Sequence, residues 1–207
     1  MPLRSTALIL HTDTVSHDFQ QASLQFRAGT NQDVFAQKIN KTLAETILHR
    51  RYQNLSSVVH SEFASYLEWR LGDFLAELKR RENQFYRKFL NRYGDLTYCR
   101  FQIHASDPIR GQKGVYAFTS QGELRYIGRC RDSFARRINQ GYGTIHPKNC
   151  YRDGQATNCH LNSLIAPERL SVSLWVHVMT DDRLIEAVEL QMIGRYQPPW
   201  NIAMKNR

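Results

Sequence analysis

The chain has 207 residues, of which 42% are hydrophobic and 23% are charged. These values are typical of folded proteins and exclude a disordered chain. The 28 Lys and Arg residues outnumber the 19 Asp and Glu residues, giving a formal net charge of +9. This excess favours a polyanionic partner, because phosphates bound by Lys and Arg release condensed counterions. No sequence segment approaches the roughly 18 apolar residues that a membrane-spanning helix needs.

The apolar stretch near the N-terminus, residues 7–10, is too short for the core of a signal peptide, so we expect a cytoplasmic protein without membrane contact. Cysteines in zinc sites usually come in pairs two to four residues apart. The four cysteines lack this spacing, and we expect reduced thiols at Cys99, Cys130, Cys150 and Cys159. A cysteine-based zinc module is a remote alternative.

Residues 1–105 are predicted to form a helical region that serves DNA binding or dimerisation. Apolar residues four apart predict a first helix over about residues 32–49. A second apolar stripe predicts one long helix that begins near Ser57 or Ser61, passes Phe89 and ends at Gly94. Its polar face carries several Lys and Arg residues, consistent with either a solvated face or a nucleic-acid contact.

Residues 106–207 are predicted to form an α+β catalytic domain. Residues 114–118 and 124–128 read as strands joined by a three-residue loop, Ser120-Gln121-Gly122, with Tyr116 opposite Tyr126 and both hydroxyls on one face. The pattern then predicts a short helix over 133–139, a long functional loop over 140–160, a strand over 170–179 and a helix over 183–196.

The last predicted helix places a carboxylate, Glu189, in the middle of its apolar stripe, between Ile185 and Ile193. A carboxylate is rarely buried unless it is paired or bound to a metal. Glu189 is therefore either a metal ligand or half of a buried Glu–Arg pair. Glu186 lies at the edge of the stripe and is the weaker candidate.

Two adjacent arginines on the short helix compete for a place at the same site. Phe134 and Ile138 seat this helix, Arg137 borders their face, and Arg136 points nearly the opposite way. We expect Arg137 to reach the sheet and Arg136 to stay in solvent or to contact a backbone phosphate.

The motifs, taken in order, resemble those of the GIY-YIG nuclease superfamily. Gly114-Val115-Tyr116 precedes Tyr126-Ile127-Gly128, and an arginine helix follows over residues 132–138. Glu189 stands twelve residues before Asn201, in Pro-Pro-Trp-Asn. The resemblance covers about residues 112–203, and the loop after Tyr126-Ile127-Gly128 is one residue longer than is usual in that family.

The resemblance implies a small three-stranded antiparallel sheet flanked by helices and hydrolysis of phosphodiester bonds. Glu189 would hold one divalent ion per active site, Mg²⁺ or Mn²⁺. Tyr116 would act as a general base or orient the attacking water, provided that a nearby cation lowers its pKa, with Tyr126 in support. Arg137 would clamp the phosphate oxygens, and Asn201 would hold the site together. His160 is predicted to open a helix, as an auxiliary phosphate contact or an ordinary helix-start residue.

The favoured function is a site-specific double-stranded DNA endonuclease of the restriction type, a homodimer or higher homo-oligomer that leaves 5′-phosphate and 3′-hydroxyl ends. The alternatives are a repair or phage nuclease with structural or degenerate specificity, and a non-catalytic nucleic-acid-binding protein. Arg, Lys, Asn and Gln are the side chains that contact phosphates and base edges. The DNA-binding candidates of these types are Arg129, Arg131, Lys148, Asn149, Arg152, Gln155 and Asn158.

Overall fold

The structure, a computed structural model, describes residues 7–202. Its strands are β1 Ala7–His11, β2 Ser16–Ala22, β3 Leu24–Phe26, β4 Phe101–Ile103, β5 Gly114–Ser120, β6 Glu123–Cys130 and β7 Val172–Val178. Its α-helices are α1 Leu43–Ile47, α2 Ser56–Glu62, α3 Leu71–Arg80, α4 Ala156–Glu168 and α5 Asp182–Tyr196. No helix within the described residues combines the length and apolar character needed to cross a membrane.

The chain forms two compact units, and both are discontinuous in sequence. The sheet unit contains residues 7–28, 100–144 and 167–202 of the described chain, whereas the helical unit contains Gly29–Cys99 and Ile145–Ala166. The predicted division at residue 105 does not coincide with this arrangement, because the N-terminal strands belong with the sheet.

The sheet unit is built on a five-stranded antiparallel sheet in the order β1-β2-β7-β5-β6, with β3 and β4 forming a separate two-stranded sheet. The prediction of a small three-stranded sheet is therefore wrong. The three predicted strands do form, as β5, β6 and β7, but β2 pairs with β7 and adds a hairpin from the N-terminus. Pairing between strands so distant in sequence leaves no local pattern from which it could be predicted.

The β5–β6 hairpin has a tighter turn than predicted. Ser120 pairs with Glu123, so the loop is only Gln121-Gly122, and both residues have positive φ angles of 54° and 83°. Two residues with positive φ are typical of a type I′ hairpin turn. The two-residue loop alone would pair Tyr116 with Ile127, but a β-bulge between Phe118 and Thr119 shifts the register by one more residue. Tyr116 therefore pairs with Gly128, and Tyr126 lies opposite Phe118.

Alternation along β5 separates the two faces of the central sheet. Val115 and Ala117 pack with Ile127 and with the apolar side of α5. Tyr116 and Phe118 face the other way, and the Tyr116 ring contacts Phe134 edge-on. Every residue of β5 is buried, as expected for a central strand covered on both faces.

The helical unit corrects both long-helix predictions. The region predicted as a helix over 32–49 contains only a 3₁₀ turn and the short α1, whose Thr42 and Glu45 form a reciprocal N-terminal cap. The predicted long helix is divided into α2, α3 and several 3₁₀ turns. Glu82 has a φ of 58°, a left-handed conformation that ends the helix shortly after Arg80. The apolar stripe nonetheless marks the core, since Phe74, Leu78 and Phe89 are all buried.

Two histidines meet where β2 pairs with β7. His17 Nδ1 lies 3.2 Å from His177 Nε2, and His17 is 8% exposed. Burial and the neighbouring His177 lower the pKa of His17, so its charged form is disfavoured in the folded protein. Because the unfolded chain then takes up this proton more readily, stability is expected to be lost as pH falls below about 6.5.

This pH dependence is measurable as the free energy of urea unfolding at pH 7.5 and pH 5.5. One proton contributes a slope of at most about 1.4 kcal/mol per pH unit. We expect His17→Gln to flatten the profile and His60→Gln, at an exposed position, to leave it unchanged. Equal profiles for all three proteins would contradict the assignment.

Candidate active site

Three tyrosine hydroxyls meet around one guanidinium in the sheet unit, and we call Tyr116, Tyr126, Tyr142 and Arg137 the tyrosine cluster. The Tyr142 hydroxyl lies 2.9 Å from that of Tyr116 and 3.3 Å from that of Tyr126. Arg137 donates from Nε to Tyr116 at 3.3 Å and from Nη2 to Tyr142 at 2.5 Å. Thus the structure brings Tyr116, Tyr126 and Arg137 together, as predicted, and adds Tyr142.

Arg137 and Tyr142 are both held on a π-helix, Arg136–Tyr142. Residues five apart are hydrogen-bonded neighbours in a π-helix, whereas residues four apart are neighbours in an α-helix. Gly143 N donates to Ile138 O in this way, at 2.6 Å. A helix does form where one was predicted over 133–139, but it continues to Tyr142, so the prediction of a loop from residue 140 is wrong. The wider turn carries Tyr142 back to Arg137.

Arg136 lies outside the tyrosine cluster. Its guanidinium pairs with Asp132 at 3.2 Å, and its side chain is 70% exposed. Phe134 and Ile138 are both fully buried and seat the helix as expected. Arg136 therefore points away from the sheet despite the wider helical turn. Of the two competing arginines, the structure places only Arg137 at the site.

The structure explains why the motif Tyr126-Ile127-Gly128 ends in a glycine. A Cβ atom at Gly128 would lie 2.4 Å from the Tyr116 hydroxyl and 2.8 Å from a ring carbon of Tyr126. The missing side chain is therefore what allows the Tyr116 ring to lie across β6.

A Gly128→Ala substitution is expected to displace the Tyr116 hydroxyl and to lower the free energy of unfolding by about 1–3 kcal/mol, because overpacking forces buried side chains out of position. Urea denaturation measures this loss. Gly194→Ala on α5 is the matched control, since its Cβ would meet no atom within 4 Å, and it should be neutral or stabilising. A Gly128→Ala protein as stable as the control would contradict this packing.

The phenols of the tyrosine cluster are uncharged at neutral pH. Burial raises the pKa of Tyr116 well above its ordinary value, and the nearby Tyr126 adds to this increase while Arg137 opposes it. Burial likewise raises the pKa of both Tyr126 and Tyr142. The condition for Tyr116 to act as a general base, a pKa lowered by a neighbouring cation, is therefore not met, because the effect of burial exceeds that of Arg137. In this state Tyr116 offers a neutral hydroxyl that can donate or accept a hydrogen bond, and not a phenolate base.

Glu189 lies at the buried side of α5, and its side chain is 14% exposed. Arg129 Nη1 donates to its Oε2 at 2.6 Å, so the Glu–Arg pair is the alternative that the structure shows. Burial raises the pKa of Glu189, while Arg129 and, more weakly, Arg137 lower it. Its charge in turn contributes to the raised pKa of Tyr126, so it lies near the tyrosine cluster.

The donor set around Glu189 is small. Within residues 7–202, no group of three or more His, Cys, Asp or Glu side chains is placed to hold a metal ion. Glu186 lies one turn away and pairs with both Arg129, at 3.1 Å, and Arg131. Mg²⁺ typically keeps several waters and takes only one or two carboxylates. The donors therefore fit one hydrated Mg²⁺ or Mn²⁺ on Glu189, and they do not fit a structural metal cage.

Asn201 holds the strand that carries Tyr126. Its Oδ1 accepts from Ile127 N at 3.0 Å and its Nδ2 donates to Ile127 O at 2.7 Å. The side chain is buried, and Trp200 N adds a bond to Arg125 O. The predicted role of fastening the chain end beside the site matches this geometry.

The remaining predicted residues lie in the helical unit. His160 is inside α4, not at its start, and its ring contacts that of Tyr93 at a tilt of 46°, with ring centroids 4.6 Å apart. Asn158, predicted to contact DNA, is 2% exposed and bonds to Gln155, so that prediction is wrong. Asn149 closes a 3₁₀ cap on His146, Arg152 is half-buried, and Lys148 and Gln155 are exposed.

Tyr142 is the site residue that the sequence interpretation missed. Counting four residues from Arg137, as in an α-helix, reaches Gly141 and not Tyr142. The available signal was the extra residue in the loop after Tyr126-Ile127-Gly128, together with the glycines on either side of Tyr142.

No family model, curated protein or solved structure matches this chain.

Proposed function

We propose that this chain is a metal-dependent endonuclease of the GIY-YIG type that cleaves double-stranded DNA at specific sites. The observation that carries the proposal is the tyrosine cluster beside Glu189, in which Arg137 donates to two buried phenols. Arg137 is half-buried, and removing a guanidinium from water is costly unless its charge is used or paired. The net charge of +9 supports an anionic substrate.

Hydrolysis of a phosphodiester requires a positioned water, neutralisation of the charge on the phosphorus oxygens and stabilisation of the leaving oxygen. In the proposed mechanism the Tyr116 hydroxyl orients the attacking water. Tyr142, which contacts both Tyr116 and Tyr126, fixes the direction of the Tyr116 hydroxyl. Arg137 neutralises the non-bridging oxygens, for which its planar guanidinium is well suited. Asn201 acts through Ile127 by keeping β6 in place.

Glu189 would hold the divalent ion, with Arg129 transferring its contact from the carboxylate to the substrate phosphate. When bound, the ion supplies charge stabilisation at the scissile phosphate and the leaving 3′ oxygen. In its absence, Arg129 keeps the half-buried Glu189 paired. One ion per site and a homodimer, in which two sites cut two strands, complete the proposal.

The test is incubation of the purified full-length protein with plasmid and phage DNA in Mg²⁺, followed by mapping of the ends. Discrete fragments with 5′-phosphate and 3′-hydroxyl ends would support a site-specific endonuclease. A smear would favour the repair or phage alternative. Chelator-insensitive DNA binding with no cleavage in Mg²⁺ or Mn²⁺ would overturn the enzymatic proposal and favour the non-catalytic one.

A further inference from the structure

The two-stranded sheet formed by β3 and β4 has one polar face that the proposed mechanism does not use. Gln25 pairs with Gln102, and the ladder continues as Arg27 N donates to Arg100 O at 2.8 Å. Strand alternation places these four side chains on one face, and all four are exposed. We call Gln25, Arg27, Arg100 and Gln102 the ribbon face.

The opposite face of the ribbon holds it on the protein. Phe26 and Phe101 pack with ring centroids 5.3 Å apart, and Phe101 and Ile103 are buried. The outer edge of β4 bonds to the π-helix segment, because Phe101 N donates to Gly143 O and Ile103 N to Asn139 Oδ1. The ribbon is thus attached to the same element that carries Arg137 and Tyr142.

The charge on the ribbon face is unbalanced. Arg27 and Arg100 lie directly opposite each other, and like charges in this position destabilise a strand pair. The ion pairs made by the described part of the chain involve neither arginine. The carboxylates nearest in sequence, Asp33 and Asp95, both pair with Lys79. Asp107, the next one after Arg100, accepts from Ser23 N and caps a 3₁₀ turn. An anionic ligand would remove this repulsion.

The glutamines add hydrogen-bonding capacity beside this charge. Gln25 and Gln102 lie two residues along from the arginines, and their side chains touch at 3.4 Å. Each glutamine amide offers both donors and an acceptor, the combination that pairs with an adenine edge. The ribbon face, with Thr144, lines an open cleft of about 480 Å³.

We propose that the ribbon face docks in the major groove of double-stranded DNA, with Arg27 and Arg100 on backbone phosphates and Gln25 and Gln102 at base edges. The major groove, about 12 Å wide, admits a two-stranded ribbon, whose strands are about 4.8 Å apart. Since the ribbon is fastened to the π-helix, DNA held there is presented to the tyrosine cluster. The inference rests on the proposed function and assigns its DNA-recognition surface.

The experiment measures duplex binding by fluorescence anisotropy in EDTA, so that cleavage does not enter. The whole 207-residue chain is used. One probe is a mixed-sequence duplex, and the other is an intact duplex that contains the cleavage site mapped in the endonuclease test. Arg27→Gln/Arg100→Gln is compared with Arg183→Gln/Arg195→Gln on α5, which removes the same charge from exposed positions of the same unit. Thermal melting confirms that each variant is folded.

We expect the ribbon double variant to bind mixed-sequence duplex at least about tenfold more weakly and to reduce the slope of log affinity against log salt by about two. The control should match the wild-type protein closely. Gln25→Ala/Gln102→Ala should keep the salt slope and reduce the preference for the mapped site over mixed sequence.

Equal binding by the ribbon and control variants would overturn the assignment. So would an equal or larger loss on single-stranded DNA or RNA, because the surface would then not be a duplex-groove reader. If the wild-type protein binds duplex through the ribbon and never cleaves it, the enzymatic proposal fails while this one stands. If the ribbon variants cleave and bind as the wild-type protein does, the reverse holds.

Discussion

Glu189→Gln is expected to abolish DNA cleavage, by about 10³-fold or more, while DNA binding persists. The substitution removes the charge needed to hold a divalent ion but keeps an oxygen that accepts from Arg129. The variant should therefore fold, and its loss should appear in the single-turnover cleavage rate at saturating Mg²⁺. Anisotropy in EDTA provides the matching binding measurement.

Glu186→Gln is the matched control, one turn away on the same helix. Glu186 also accepts from Arg129, but its side chain is 41% exposed, and exposed ion pairs contribute little. We expect less than a tenfold change in its cleavage rate. Arg129→Gln completes the set. If the Arg129–Glu189 pair only fastened β6 to α5, both Glu189→Gln and Arg129→Gln would lower stability and leave cleavage by the folded protein intact.

Short-range signals account for the parts of the fold that the sequence predicted. The β5–β6 hairpin, β7 and α5 each carry their own alternation, turn residues or cap, and Asp181 caps α5 by accepting from Arg183 N and Leu184 N. The hairpin loop was predicted one residue too long, and the β-bulge between Phe118 and Thr119 was not predicted. Together these two errors moved the partner of Tyr126 from Phe118 to Tyr116 in the prediction. The two tyrosines still share a face, because their distance along the ladder is an even number of residues.

The missed parts depend on long-range contacts or on backbone conformations without a local signature. β2 pairs with β7 across most of the chain, and β3 pairs with β4 across the helical segment Gly29–Cys99. In the helical unit, the apolar spacing identified buried residues but could not show that Arg70 is extended or that Glu82 is left-handed. Hydrophobic period reports which side chains are buried more reliably than it reports helix continuity.

The candidate site, like the fold, contains residues that a local pattern predicts and residues that no local pattern predicts. Arg137 and Glu189 could be chosen from the faces of single helices, because each argument needed only its immediate neighbours. Tyr142 could not, because a π-helix changes the residue that lies beside Arg137. The protonation of the phenols depends on burial in three dimensions, so the sequence could not show that the lowered pKa required of Tyr116 as a base is not met.

Arg137→Gln is expected to lower the single-turnover cleavage rate by about 10²–10³-fold, with a small effect on DNA affinity. The substitution removes the charge that would meet the phosphate oxygens in the transition state. The Tyr116 and Tyr142 hydroxyls, 2.9 Å apart, still bond to each other, so the cluster keeps its packing. Arg137→Lys should recover only part of the rate, because an ammonium cannot reach two phenols and a phosphate as a planar guanidinium can.

Arg136→Gln tests whether the effect depends on position or on charge alone. The two arginines are adjacent, and their substitution removes the same charge, but Arg136 is exposed and pairs with Asp132. We expect cleavage by Arg136→Gln to stay within about threefold of wild type, as exposed pairs of this kind contribute little. If both variants lost cleavage equally, Arg137 would act through net charge, and the proposed contact with the phosphate oxygens would have to be abandoned.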